Sequence, residues 1–214
     1  DGVHSLDELE FQLNEITNFC NKKRMPLPLY VVVQTGTKVM ETRNVGTFDS
    51  PVRLIDQVPP EIQIPRIVDI CEKFQVFLKQ HNTDYLSTIA LSVHPGLRIH
   101  AANVAPEFGV AETKAFLDIC VRHNLTDEVE TFITLAVSSG KWKKWMLFDS
   151  EADDYDRAVI AGHYIFAAPE FLDLKSRVAN KLKKHNVDLN EHLKEQVRSS
   201  LMRYIEAFRL RGAY

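Results

Sequence analysis

The sequence predicts an α/β protein built on three parallel strands and finished by helices alone. Three observations carry this. Short apolar or alternating runs at 29–33, 76–81 and 97–103 each open into polar residues. Helical periodicity separates the runs, and only helical periodicity follows the third. The polar residues would therefore gather at the carboxyl ends of consecutive parallel strands, where such sheets carry their sites.

Helix, strand, helix, strand, helix, strand and then helices only is the grammar of a β/α barrel with too few strands. Three parallel strands leave both edges unpaired and cannot close. An eight-stranded barrel runs to about 250 residues, and this chain has 214. The expected fold is thus the C-terminal part of a TIM (β/α)8-type barrel, its last three parallel strands, followed by a helical C-terminal extension. Residues 1–140 would form the barrel portion and 141–214 the extension packed on it, with the missing strands upstream.

Taken in order, Ser5-Leu-Asp-Glu8 is a capping box, and Leu6, Leu9, Leu13, Ile16 and Cys20 recur at helical spacing behind it. Asn21-Lys-Lys-Arg24 suits the negative end of that helix, and Met25-Pro-Leu-Pro28 breaks it. Leu29 to Val33 is a β-branched run of the kind buried on both faces of a parallel sheet. Residues 34–46 read as a polar loop and 47–60, with Pro51, Pro59 and Pro60, as further loop. A second helix starts near Ile64, and the strand ending at His81 follows it. A short helix spans Leu86 to Val93, stopped by His94-Pro-Gly96, and the strand Leu97 to Asn103 comes next. Further helices are expected over 110–123, 126–139 with Thr126 as N-cap, 154–166, 170–185, and 190–209 behind Asp188 and Glu191.

Composition excludes several classes. Hydrophobic content of 45% and charged content of 26% are those of a globular protein, and a net charge of −3 offers no basic field for nucleic acid. Cys20, Cys71 and Cys120 fall one per helix with no metal-knuckle or redox spacing, as buried free thiols of a reducing compartment do. No apolar run is long enough to span a membrane and no signal peptide is present, so a cytoplasmic protein is expected. The chain begins at Asp1-Gly2, which suggests that an upstream segment has been removed.

The candidate residues lie at the strand exits. His81 suits a metal ligand, or a histidine held by Asp84 for proton transfer; an Asx-type turn with a surface histidine is the plainer alternative. Asn82 lies between them. On the last strand Arg98 and His100 share a phase, and Asn103 stands at the mouth. In the first exit loop Lys38 and Arg43 could hold a phosphate, Glu41 could bind metal or move a proton, and Gln34 could hold a hydroxyl. Gly36 and Gly46 are too far apart for a phosphate cradle. Trp142-Lys-Lys-Trp145 reads as an aromatic clamp on the helical tail. No nucleophile elbow, Walker loop or zinc-protease motif occurs.

At these same residues the chain resembles the Z subunits of class II tagatose-1,6-bisphosphate aldolase. Val31-Val-Val-Gln34-Thr-Gly36 resembles that family's Val-Val-Gln-Pro-Gly, and His81-Asn-Thr-Asp84-Tyr85 resembles its His-Ser-Thr-Asp-Tyr. Asn103-Val-Ala-Pro106 is similar to its Lys-Val-Gly-Pro, and Trp142-Lys-Lys-Trp-Met to its Trp-Lys-Lys-Tyr-Tyr. The closing 207–214 resembles its tyrosine- and arginine-rich end, and the matches are colinear. Asn103, Ala105 and Thr35 depart from the family's lysine, glycine and proline, which fits a divergent branch acting on a different sugar.

Family members are about twice this length, so the resemblance implies the C-terminal half of a barrel. It implies a non-catalytic subunit of galactitol, N-acetylgalactosamine or tagatose catabolism, oligomeric, working beside a catalytic aldolase subunit and the N-terminal half of its own barrel. The other implied activity is a metal-dependent ketose aldolase or ketohexose C4-epimerase acting by retro-aldol cleavage. There a divalent metal, zinc first, would sit on His81, Asp84 and Glu41 would move protons, and Gln34, Lys38, Arg43, Asn82 and Asn103 would hold the ketose or its phosphate.

Overall fold

The structure is a computed structural model that describes residues 5–50 and 58–212. It is an α/β protein with one parallel sheet and a majority of helix. The elements are α1 (Leu6–Lys23), β1 (Tyr30–Val33), β2 (Val39–Met40), β3 (Arg43–Asn44), α2 (Pro60–Lys73), β4 (Phe77–Gln80), α3 (Thr88–Ser92), β5 (Ala101–Ala102), α4 (Pro106–Arg122), α5 (Thr126–Ser138), α6 (Asp154–Ala161), α7 (Pro169–Lys183) and α8 (Leu189–Ala207). Single 3-10 turns lie at Lys143–Trp145 and Gly162–Ile165. Among the described residues no helix is long and apolar enough to cross a membrane.

Local chemistry explains most of these bounds. Ser5 Oγ accepts from Glu8 N–H, and α1 ends where Arg24 turns left-handed behind Lys22 and Lys23. Proline opens α2, α4 and α7 at the first turn, where its missing N–H costs nothing. Hence α2 starts at Pro60, inside the stretch expected to be loop, and Pro51 of that stretch lies outside the described residues. Thr126 is the first residue of α5 and makes no capping bond. Asp153 and Asp156 form a capping box for α6, and Asp188 Oδ1 accepts from Asn190 and Glu191 N–H at the start of α8.

The parallel sheet runs in the order β1-β4-β5, with Val32 opposite Lys79 opposite Ala101, and Val33 opposite Gln80 opposite Ala102. Its two faces differ. Val33, Leu78 and Gln80 are buried, whereas Tyr30, Val32 and Phe77 are 41%, 45% and 45% exposed. The expectation of a first strand buried on both faces is therefore corrected: β1 is an edge strand with one open face.

The third strand is much shorter than expected. Arg98 takes a positive φ of 57°, which breaks the extended run after Leu97. The guanidinium pairs with Glu72 at the surface, so it does not share a sheet face with His100. The kink also removes a main-chain acceptor from beside β4. His100 Nδ1 replaces it, accepting from Leu78 N–H at 3.2 Å while the ring packs on Phe77.

The chain divides into two compact units, 1–39 with 43–104 and 205–214, and 40–42 with 105–204. The main boundary between them falls after Val104. The first unit carries the parallel sheet and a core from α1, α2 and the strands, including Leu9, Leu13, Ile64, Ile67, Cys71 and Leu78. The second is helical and is centred on Phe116, Phe132 and Phe171, whose ring centroids are 5.2–5.7 Å apart. There Trp142 Nε1 donates to Val137 O and Trp145 Nε1 to Tyr164 Oη, which tie the aromatic segment to its helical neighbours.

Candidate functional site

The site begins with the register. One residue past the paired positions Val33, Gln80 and Ala102 come Gln34, His81 and Asn103. His81 N–H still donates to Val33 O at 3.3 Å and Asn103 N–H to Gln80 O at 2.9 Å, so the row is held by main chain. Alternation puts it on the open face, above Val32, Lys79 and Ala101. Gln34 Nε2 lies 2.8 Å from His81 Nδ1. With the amide donating, the ring proton sits on Nε2, which has no partner among the described residues.

The turn behind His81 is strained and strapped. Asn82 and Tyr85 have φ of 51° and 59°, an uncommon region for side chains other than glycine. Asn44 holds the turn by donating from Nδ2 to Asn82 O at 3.0 Å and Asp84 O at 2.9 Å. Its Oδ1 accepts from Lys38 and Gly46 N–H, both at 3.2 Å. Thr37 Oγ1 donates to His81 O, and Thr83 N–H donates to Asn103 O. Gly36 and Gly46 meet here: a Cβ on Gly46 would lie 2.0 Å from Gly36 O.

Beneath the row is a buried polar network. Gln80 bonds Thr35 Oγ1 at 2.8 Å and Thr83 Oγ1 at 3.0 Å, and His94 Nε2 lies 2.7 Å from the same carboxamide. His94 Nδ1 donates to Ala90 O at 2.8 Å, and its ring sits against both Phe48 and Phe208. Both ring nitrogens thus face oxygens, which a neutral ring cannot satisfy, and burial holds the His94 pKa below its ordinary value. Turning the Gln80 carboxamide over relieves the conflict. Its nitrogen then donates to His94 and Thr83, and its oxygen accepts from Thr35.

The sheet, its strand-exit turns and its helices can be compared with known proteins. No family model matches the chain, and no curated protein matches it by sequence. Solved structures do. A crystal structure described as a probable tagatose 6-phosphate kinase from Sinorhizobium meliloti 1021 aligns over 96% of this chain and 60% of its own, with 12% identity and a TM-score of 0.69. A fructuronate-tagaturonate epimerase, UxaE, from Cohnella laeviribosi aligns over 97% of this chain and 43% of its own, with 8% identity and a TM-score of 0.57. The likeness is one of fold. The chain spans about three fifths of the first protein and under half of the second.

The structure brings some of the sequence-chosen residues together. Gln34, His81 and Asn103 share a row, and Asn44 ties the Lys38 backbone to Asn82 and Asp84. Asp84 is 2% exposed, beneath the turn. Arg43 is exposed on β3. Glu41 sits at the β2–β3 tip in the second unit, where its N–H donates to Trp145 O at 2.7 Å. Sequence reasoning missed Asn44, Thr37, Gln80 and His94. The signal for Gln80 was a polar residue on the buried phase of a strand, which must find partners.

The donor set does not complete a metal centre. Among the described residues no three His, Cys, Asp or Glu side chains converge, and His81 commits Nδ1 to Gln34. One imidazole nitrogen is not a zinc site, so no chemical step is derived through a metal.

Proposed function

We propose that this chain is the strand-end, sugar-holding part of a β/α barrel in carbohydrate catabolism, of the kind the tagatose-bisphosphate aldolase Z subunits form. The observation that carries the reading is the row Gln34–His81–Asn103, which presents amide and imidazole groups across three adjacent strand ends. Such groups suit the vicinal hydroxyls of a ketose, and a turn strapped in advance by Asn44 and Thr37 loses little entropy on binding. The two structural neighbours, a probable tagatose 6-phosphate kinase and a fructuronate-tagaturonate epimerase, support a ketose as the ligand. The open face of the sheet and its two edges, unpaired among the described residues, suit completion by further strands, from the N-terminal half of the same barrel. Work beside a catalytic aldolase subunit, in the cytoplasm and as an oligomer, belongs to the same reading.

One observation favours binding over catalysis: Asp84, the proton-transfer candidate, is buried under the turn. A metal-dependent epimerase or aldolase, with His81 as a zinc ligand, would need further ligands from outside the described residues.

The test is calorimetric titration of the whole protein with D-tagatose, D-tagatose 6-phosphate and D-tagaturonate. Saturable one-site binding to at least one of them is expected, weakened about tenfold by Asn103→Ala, the loss typical of one buried hydrogen bond. Absence of binding to all three, or unchanged affinity in Asn103→Ala, would contradict the reading.

A further inference from the structure

We propose that Lys79 makes the strand-end site an anion site, so that its ligand carries a phosphate or carboxylate. Lys79 is the one charged side chain among the described residues of the three parallel strands. In register it lies between Val32 and Ala101, with Phe77 preceding it on the same face. That places it one layer beneath Gln34, His81 and Asn103, about 6.6 Å along the strand direction. A lysine stem spans that distance.

Lys79 is half-buried as a residue and makes no ion pair or hydrogen bond with any described residue. The residues beside it on this face, Val32, Phe77 and Ala101, carry no charge, so Lys79 is the cation this face offers to an anion held at the row. The other cation on a strand near the site, Arg43, is solvent-exposed on β3. The row above Lys79 supplies neutral donors for hydroxyls, and Lys79 supplies the charge. A ketose phosphate and a hexuronate share this chemistry. The ketose part of this inference rests on the function proposed above; the anion part does not.

The experiment is thermal unfolding of the whole protein in inorganic phosphate against chloride of matched ionic strength, for wild type, Lys79→Met, Lys79→Arg and Lys38→Met. The expected result is a melting temperature that rises with phosphate in wild type, Lys79→Arg and Lys38→Met but not in Lys79→Met. No phosphate-dependent rise in wild type, or an equal rise in Lys79→Met, overturns the proposal. Loss of the rise in Lys38→Met alone also overturns it.

Calorimetry then compares D-tagatose, D-tagatose 6-phosphate and D-tagaturonate. Lys79→Met should weaken whichever anionic ketose binds by about tenfold or more, as for a charged hydrogen bond. Affinity for neutral D-tagatose should stay within about twofold, less than a single neutral hydrogen bond contributes. The two anionic arms separate phosphate from carboxylate. A phosphate response without ketose binding leaves the anion site standing and removes the sugar reading. Ketose binding unchanged in Lys79→Met does the reverse.

Discussion

Replacing His94 by phenylalanine keeps the ring and its contacts with Phe48 and Phe208 but removes both nitrogens. Two hydrogen bonds then vanish, at 2.8 Å to Ala90 O and 2.7 Å to the Gln80 carboxamide. Both partners are in buried surroundings, since Gln80 is 0% and Ala90 7% exposed. Each stranded group costs about 1–3 kcal/mol, so His94→Phe should lose about 2–6 kcal/mol of stability. Urea unfolding followed by circular dichroism measures this directly. Gln80→Leu should be costly by itself, because it strands His94, Thr35 and Thr83. The pair Gln80→Leu with His94→Phe should cost less than the sum of the two singles, since each removes a partner the other left stranded. A loss below about 1 kcal/mol for His94→Phe, or strict additivity in the double variant, would refute the network.

Gly46→Ala should destabilise by more than about 2 kcal/mol, because the added methyl meets the main-chain oxygen of Gly36, which cannot swing aside; wild-type stability in a urea titration would contradict this. Stability should fall as pH drops below about 6.5. Burial holds His94, His100 and His163 below that value, with Arg98 adding to the effect at His100 and Lys144 at His163. The unfolded chain therefore binds more protons than the native one in this window, and a flat stability between pH 7.5 and 5 would contradict the assignment. Cys71 and Cys120, pushed by burial to about 11 and about 12, should resist thiol reagents at pH 8 until urea unfolds the protein; rapid native labelling at either would show that the cores are open.

The helices were legible because their apolar residues repeat at helical spacing and their caps are local. Where capping depended on proline the sequence was misread, as at Pro60 and Pro106, though proline at a first turn is itself a start signal. The strand exits were legible because polar residues follow apolar runs, and Gln34, His81 and Asn103 do form one row. The third strand was not, since nothing local to Arg98 announces a left-handed residue; its partner Glu72 is remote in sequence. The same limit hid Asn44, whose bonds reach residues 82 and 84 across the loop.

The most direct measurement is the ring resonances of His81, selectively labelled with 15N-histidine and followed through a titration with D-tagatose 6-phosphate. The account predicts that the free protein shows the proton on Nε2, as follows when the Gln34 amide donates to Nδ1, and that the Nε2 signal moves saturably as ligand is added while those of His123 and His185 stay still. A His81 signal that does not move up to millimolar ligand, or that moves no more than those surface rings, would contradict a sugar site at the strand ends.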